Sequence, residues 1–327
     1  MRPRAAGRAP GKVMLAGEYA VLEGAPAVVM AVDRYAEAVA DQQDALSDQH
    51  GWLTPELDAT LRRARREGLV DAMISARVRP ASLFDGDRKL GLGSSAAMCV
   101  AGLFAALRAS GGDDSDEQTR ARATEIALEG HREAQGGGSG MDVYASAIGG
   151  VFCTAIAGGR ATTIERLSWP KRSAWRVLWT GEPVSTKAFV ARVKELASSA
   201  PSEHRALIAR VREASEAFVR ALRDDDATAL VAVVRAHGEA MDALGARAGI
   251  PIVTDVMRSL SARAAALGCA IKPSGAGGGD IVLAVSDDEP SMFALVSECA
   301  ALGVSALELS VDSLGARCER DDHPLRR

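Results

Sequence analysis

The stretch Gly91-Leu92-Gly93-Ser94-Ser95-Ala96-Ala97 constrains this chain more than any other, because it joins a two-glycine turn to a run of small, mostly apolar residues ending at Ser110. The run predicts a buried helix over 96–110, stopped by Gly111-Gly112. Glycines let a ligand approach the backbone closely. The helix start behind them offers unpaired N–H groups and the positive end of a dipole. Together they form an anion seat suited to a polyphosphate. Ser94 and Ser95 have hydroxyls that either cap the helix or face a phosphate or a divalent cation, and Lys89 adds charge just before the loop. Residues 91–96 also fit the dinucleotide pattern Gly-x-Gly-x-x-Ala. That pattern belongs in the first βα turn of a chain, with an acidic residue on the next strand. Here the loop comes late, and Asp113-Asp114 follow a Gly-Gly break. A Walker loop would end in Gly-Lys-Ser/Thr, which is absent.

A second glycine-rich loop, Lys272-Pro-Ser274-Gly275-Ala276-Gly277-Gly278-Gly279-Asp280, lies between two apolar strands. So many glycines are entropically costly in a plain turn, so a close approach to a ligand accounts for them better. A third glycine run, Gly136 to Gly138, precedes Ser139-Gly140-Met141-Asp142 and places Asp142 just inside a helix start. Asp142 is either an early-turn acid favoured by the helix dipole or a group that orients or deprotonates an attacking oxygen. Lys12, in Ala9-Pro-Gly-Lys12, is either a solvated charge or the cation that neutralises a phosphoryl group in transfer.

Along the chain, strands are expected over 13–20 and 27–32, around a Glu23-Gly24 turn, with 34–40 continuing the sheet. Helices are expected over 55–67, 117–135 and 141–148, a strand over 73–78, a loop over 85–89, and a hairpin from 151–156 and 161–167 around Gly158-Gly159. The domain boundary falls near Pro170, giving residues 1–170 and 171–327. The second part reads as a strand at 176–180, four helical segments between Lys187 and Leu267, strands at 269–271, 281–285 and 306–311, and a helix near 290–301. Leu207, Val211, Ala214, Phe218 and Leu222 form a helical stripe that reads as core. The charged residues from Glu319 onward read as a frayed end.

Composition removes several classes of function. The 327 residues are 47% hydrophobic and 25% charged with a net charge of −4, enough for a core and without a nucleic-acid footprint. No signal core and no bilayer-length apolar run is expected, so no membrane partner is. Cys99, Cys153, Cys269, Cys299 and Cys318 are scattered and odd in number, which argues against zinc and disulfide frameworks and for a reducing cytoplasm.

Three segments, Ala9-Pro-Gly-Lys-Val-Met-Leu-Ala-Gly-Glu-Tyr19-Ala-Val-Leu-Glu-Gly24, Gly91 to Ala97, and Ser274 to Asp280, resemble in order and spacing the three motifs of the GHMP small-molecule kinases. The resemblance implies a two-domain α+β fold, with an S5-like N-terminal domain containing a left-handed βαβ unit and a ferredoxin-like C-terminal domain. It also implies an active site in the cleft between the domains. His131 to Val143 and Trp179 to Thr186 resemble the phosphomevalonate kinases in particular. Mevalonate kinases usually have His at Tyr19 and a metal-binding Glu at His131. A diphosphomevalonate decarboxylase-like lyase, which would release CO₂, shares the fold but usually carries another serine-rich loop. By resemblance, Lys89 and Gly91 to Ala97 (Gly91, Leu92, Gly93, Ser94, Ser95, Ala96, Ala97) bind ATP, and Ser95 binds Mg²⁺, with Glu129 and Glu133 only as neighbours. Lys12 and Asp142 are the catalytic pair, and Lys12 also meets the substrate. Tyr19, Ser139, Gly140, Lys187, Lys272, Ser274, Gly275, Ala276, Gly277 and Asp280 face the small-molecule acceptor, phosphomevalonate or a relative. A monomer or homodimer is expected.

Overall fold

In the computed structural model, which describes residues 4–42, 51–157, 160–161, 164–181 and 186–319, the first strand begins well before its apolar residues do. Strand β1 spans Ala5–Ala16 and carries Gly7, Pro10 and Gly11, which weaken any local strand signal. The pairing is supplied from far away, since Ala6 to Arg8 run antiparallel to residues 317–319. The expected strand over 13–20 is corrected at both ends. It ends at Ala16 because Gly17 takes φ 96° and Tyr19 φ 60°, after which Ala20–Glu23 form a 3-10 turn. Strand β2 (Ala27–Gln42) absorbs both expected strands that follow that turn.

By contacts the chain forms two compact units, neither of them continuous in sequence. One holds residues 1–12, 30–150 and 310–327, and the other holds 13–29 and 151–309. A single cut near Pro170 divides the sequence, whereas these units interleave along it.

In the first unit, β2 pairs antiparallel with β3 (Ile74–Arg79), from Glu37 opposite Arg79 to Gln42 opposite Ile74. Helix α1 (Pro55–Arg66) precedes β3, and the expected loop at 85–89 is a small hairpin of β4 (Phe84–Asp85) and β5 (Arg88–Lys89). Helix α2 (Ser94–Ala109) packs on β3 and on α1, α3 (Glu117–Gln135) and α4 (Met141–Ile148). Enclosed on every side, it is small and apolar all round instead of amphipathic. Leu103 and Phe104 are fully buried, each contributing about 1.5–3 kcal/mol of transfer free energy.

After residues 13–29 the second unit continues with β6 (Val151–Thr154), β7 (Ile156–Ala157), β8 (Arg160–Ala161) and β9 (Glu165–Leu167). In this hairpin β6 pairs with β9 and β7 with β8. Its expected tip, Gly158-Gly159, lies outside the described residues, as do residues 182–185 of the Trp179 to Thr186 segment and the tail from 320. There follow β10 (Ala174–Trp179), the four expected helices α5 (Thr186–Ser199), α6 (Pro201–Arg223), α7 (Ala227–Ala248) and α8 (Asp255–Ala266), then β11 (Ala270–Pro273), β12 (Ile281–Ser286), α9 (Glu289–Cys299) and β13 (Ser305–Leu307). The sheet order is β11-β12-β10-β13 with every pair antiparallel, the split βαβ arrangement of a ferredoxin-like layer. Met257, Leu260, Ile271, Val282 and Leu295 build one core of this unit. A second gathers Ile208, Val211, Met241 and Leu244 with Tyr19 and Ala20. The strand expected over 306–311 is only β13. Beyond it the chain rejoins the first unit, where Val311 bridges to Val32 and Arg317–Glu319 forms β14.

Candidate active site

Helices α1, α3, α7, α8 and α9 each begin under a side-chain cap, supplied by Thr54, Asp116, Asp226, Thr254 and Asp288. Helices α2 and α4 begin differently. Gly93 and Gly140 occupy their N-cap positions in the left-handed conformation, and neither has a side chain to cap the helix. The capping reading of Ser94 and Ser95 therefore gives way to an open helix terminus, which favours an anion.

The first unit brings Lys12 to this terminus. Its backbone N–H donates to the Leu92 carbonyl at 2.8 Å, and its methylene stem crosses Gly93 so closely that a Cβ there would meet Cγ at 3.0 Å and Cε at 3.1 Å. Leu92, Ala96 and Ala97 are buried, while Gly91, Gly93, Ser94 and Ser95 keep partial exposure. Lys89 is exposed on β5.

Ser95 Oγ lies 3.1 Å from His131 Nε2, and the Gln135 amide donates both to Ser95 Oγ, at 3.4 Å, and to the Glu56 carboxylate. Glu56, in the first turn of α1, belongs to none of the glycine motifs, and nothing in its local sequence marks it. Burial works to raise its carboxyl, but its own backbone N–H, Ser95 and Gln135 hold it below the usual carboxylate range. The neighbours expected beside a cation are engaged elsewhere: Glu129 meets Arg63, and Glu133 lies 3.8 Å from Arg62.

Asp142 is the second residue of α4 and half-buried, with Oδ1 accepting the Val143 N–H at 3.0 Å. Its helix start is fixed from α3. A Cβ on Gly140 would lie 2.0 Å from Leu128, and Arg132 donates to the carbonyls of Gly138 and Ser139 at 3.2 and 2.9 Å. Ser139 Oγ accepts the Met141 N–H at 3.4 Å. Sequence reasoning missed Arg132. Asp142 and Glu56 both act on α2: the Cys99 thiol is pushed up to about 12, by burial first and then by these two carboxylates, partly offset by Thr60.

In the second unit the 274–280 loop is tied to the segment after β1. Ser274 Oγ donates to the Met14 carbonyl at 2.9 Å and accepts its N–H at 3.1 Å, and the Tyr19 hydroxyl donates to the Ala276 carbonyl at 2.6 Å. Burial, then Glu18, pushes the Tyr19 phenol up. Gly278 N–H donates to Ile252 O, and the Asp280 carbonyl accepts from Thr180 N–H at 2.9 Å. Glu18 Oε1 accepts from Gly275 N–H at 3.3 Å. Lys272, expected as an acceptor contact, is fully buried, with Nζ paired to Glu18. Lys187 is exposed in the first turn of α5 and drawn into neither cluster. Glu18 lies inside the first glycine motif but is not singled out by it, and His237, the third member of its cluster, carries no local signal.

Comparisons with known proteins follow the same lines. Residues 60–150 match the family described as GHMP kinases N terminal domain. A phosphomevalonate kinase of Streptomyces sp. (strain CL190) is 30% identical over 341 residues, covering 86% of this chain and 90% of that protein. A Lin0012 protein from Listeria innocua has a solved structure that superposes with a TM-score of 0.84 at 23% identity, covering 97% of this chain and 99% of that one. A phosphomevalonate kinase of Streptococcus pneumoniae, in complex with phosphomevalonate and AMPPNP, superposes with a TM-score of 0.75 at 21% identity, covering 94% and 99%. At these identities the two structural likenesses speak to the fold alone.

Proposed function

The chain belongs to the GHMP kinase family, and from that premise we propose that it transfers the terminal phosphoryl group of ATP to phosphomevalonate, giving ADP and diphosphomevalonate. The observation that carries the reading is the open, glycine-capped start of α2 with the Lys12 stem laid across it. In this reading Lys89 and Gly91 to Ala97 hold the ATP phosphates, and residues 1–170 form the nucleotide-binding half of the sequence. Residues 171–327, with Tyr19, Ser139 and Gly140, shape the acceptor side through Lys187, Ser274 to Gly277 and Asp280.

An oxygen of the acceptor's phosphate attacks the γ-phosphorus while the bond to the β–γ bridging oxygen breaks, and ADP leaves with that electron pair. Asp142 orients the attacking oxygen or takes its remaining proton, and Lys12 stabilises charge on the phosphoryl group in flight. Among the described residues no three His, Cys, Asp or Glu gather as a metal cage. Ser95 and Glu56 instead offer sparse oxygen donors, which suits Mg²⁺ when phosphates and water complete its shell. Bound there, Mg²⁺ would neutralise phosphate charge. Among the described residues no helix is long and apolar enough to cross a membrane, and no cysteine is in a disulfide; we place the enzyme in the cytoplasm as a monomer or homodimer.

The test is ADP release from ATP and Mg²⁺ with phosphomevalonate, mevalonate or no acceptor, with CO₂ monitored. Turnover with phosphomevalonate alone is expected. Turnover with mevalonate alone would move the acceptor by one step, and CO₂ release would make the protein a lyase.

A further inference from the structure

Three ionisable side chains meet in the second unit with almost no exposure: Glu18 at 2%, Lys272 at 0% and His237 at 0%. They come from the turn after β1, from β11 and from α7. Lys272 Nζ pairs with Glu18 Oε1, and His237 Nε2 lies 3.2 Å from Glu18 Oε2. Withdrawing such groups from water costs several kcal/mol per ion, so a cluster of this kind is weak evidence for a stabilising role and calls for another account.

The geometry of Glu18 provides one. The same Oε1 that meets Lys272 also receives the N–H of Gly275, the first glycine of the 274–280 loop. The next residue, Tyr19, sits at φ 60° and sends its hydroxyl to the carbonyl of Ala276, one residue further along that loop. Gly238, one residue after the histidine, lies so near β11 that an added Cβ would be 2.8 Å from Ile271 O. α7 is therefore pressed against the strand that bears Lys272, with His237 behind the carboxylate. A glycine-rich loop has little intrinsic stiffness, and its position is set by whatever grips its backbone.

We propose that Glu18, clamped between Lys272 and His237, is the grip that sets the 274–280 loop, and that Lys272 and His237 are positioning residues of the active site. This rests on the kinase reading, in which the loop shapes the acceptor side, and it reassigns Lys272 from ligand contact to internal counter-ion. The carboxylate has two oxygens and two buried partners. Losing His237 removes the ring that stands 3.2 Å from Oε2 and lets the carboxylate turn, which moves Oε1 off the Gly275 N–H.

The test compares His237→Leu with His237→Gln, whose amide offers an N–H toward Glu18, in the full-length protein at temperatures where melting curves show each variant folded. Hydrogen–deuterium exchange of peptides covering 272–281 is read against those covering α9. We expect faster exchange of the loop alone in the leucine variant, with near wild-type protection in the glutamine variant. In the leucine variant kcat with phosphomevalonate should fall about 10- to 100-fold, the scale of a displaced site, and be largely restored in the glutamine variant. ATP affinity should be unchanged in both. Unchanged loop exchange in the leucine variant would overturn the grip, and faster exchange with unaltered kcat and KM would overturn the positioning role. If wild-type protein transfers phosphate to no acceptor, the kinase reading fails, and the exchange comparison still decides whether Glu18 holds the loop.

Discussion

At the scale of single residues, Asp142 and Lys12 show how little a charged side chain reveals on its own. Each has an ordinary explanation, and each gains interest from what holds it. Asp142 is fixed by Gly140 packed on Leu128 and by Arg132 clamping residues 138 and 139. Lys12 is fixed by its stem on Gly93 and its N–H on Leu92. An acid that aligns or deprotonates a nucleophile typically contributes 10²–10⁴-fold. Asp142→Asn should therefore lose about 10²–10⁴-fold in kcat and bind ATP as before, measured by steady-state kinetics beside equilibrium nucleotide binding. Turnover within a factor of two or so of wild type would remove Asp142 from the mechanism.

At the scale of elements, α2 is the informative helix. Its sides are enclosed, so its residues are small, while its start is left without a cap. Five other helices in this chain use a Thr or Asp where α2 uses Gly93. Gly93→Ala would place a methyl group at φ 76° and 3.0 Å from the Lys12 stem. The left-handed conformation alone costs about 1–2 kcal/mol, and the collision adds displacement of Lys12. Gly111→Ala is the control, because Gly111 has φ 83° with nothing within 4 Å of the added carbon. Both variants should lose similar stability in urea, and only Gly93→Ala should weaken ATP binding. Equal nucleotide affinity in the two would mean that the Lys12 and Gly93 contact has no part in binding.

At the scale of the whole molecule, the buried cluster makes stability depend on pH with a definite sign. Burial favours a protonated Glu18, but Lys272 and His237 outweigh it and hold the carboxyl at about 2, against an ordinary 4.5. Its contribution is present above the ordinary value and lost as pH falls from there toward the folded one. Burial pushes His237 below its ordinary 6.5, only partly offset by Glu18, so the folded protein resists its protonation and stability begins to fall below about that pH. Urea midpoints should drop in two stages on acidification, first below about 6.5 and again below about 4.5. Glu18→Gln should flatten the lower stage. It should also cost about 3–5 kcal/mol at neutral pH, since it leaves Lys272 buried without its counter-charge, and Glu18→Gln with Lys272→Met should recover much of that. A midpoint in Glu18→Gln that follows the wild-type pH curve would show that other carboxylates, Asp312 among them, govern the acid limb.

What the sequence determined by itself was local or periodic. Helices α1 to α9 follow from apolar spacing, caps and glycine stops, and the anion seat proposed at Gly91 to Ala97 was suggested by the residue types a close backbone approach requires. The strands of the second unit's sheet were legible as short, largely apolar segments, but their antiparallel pairing rests on contacts distant in sequence. Only the tertiary structure decided what depends on partners distant in sequence. β1 starts at Ala5 because β14 pairs with it, and the 306–311 run divides because its two ends serve different partners. Glu56 comes beside Ser95, and His237 beside Glu18, through packing between helices and strands whose own sequences carry no sign of it. Lys272, beside a glycine-rich loop, reads in the sequence as an acceptor contact. It is internal because one carboxylate 254 residues away supplies the counter-charge that burial demands.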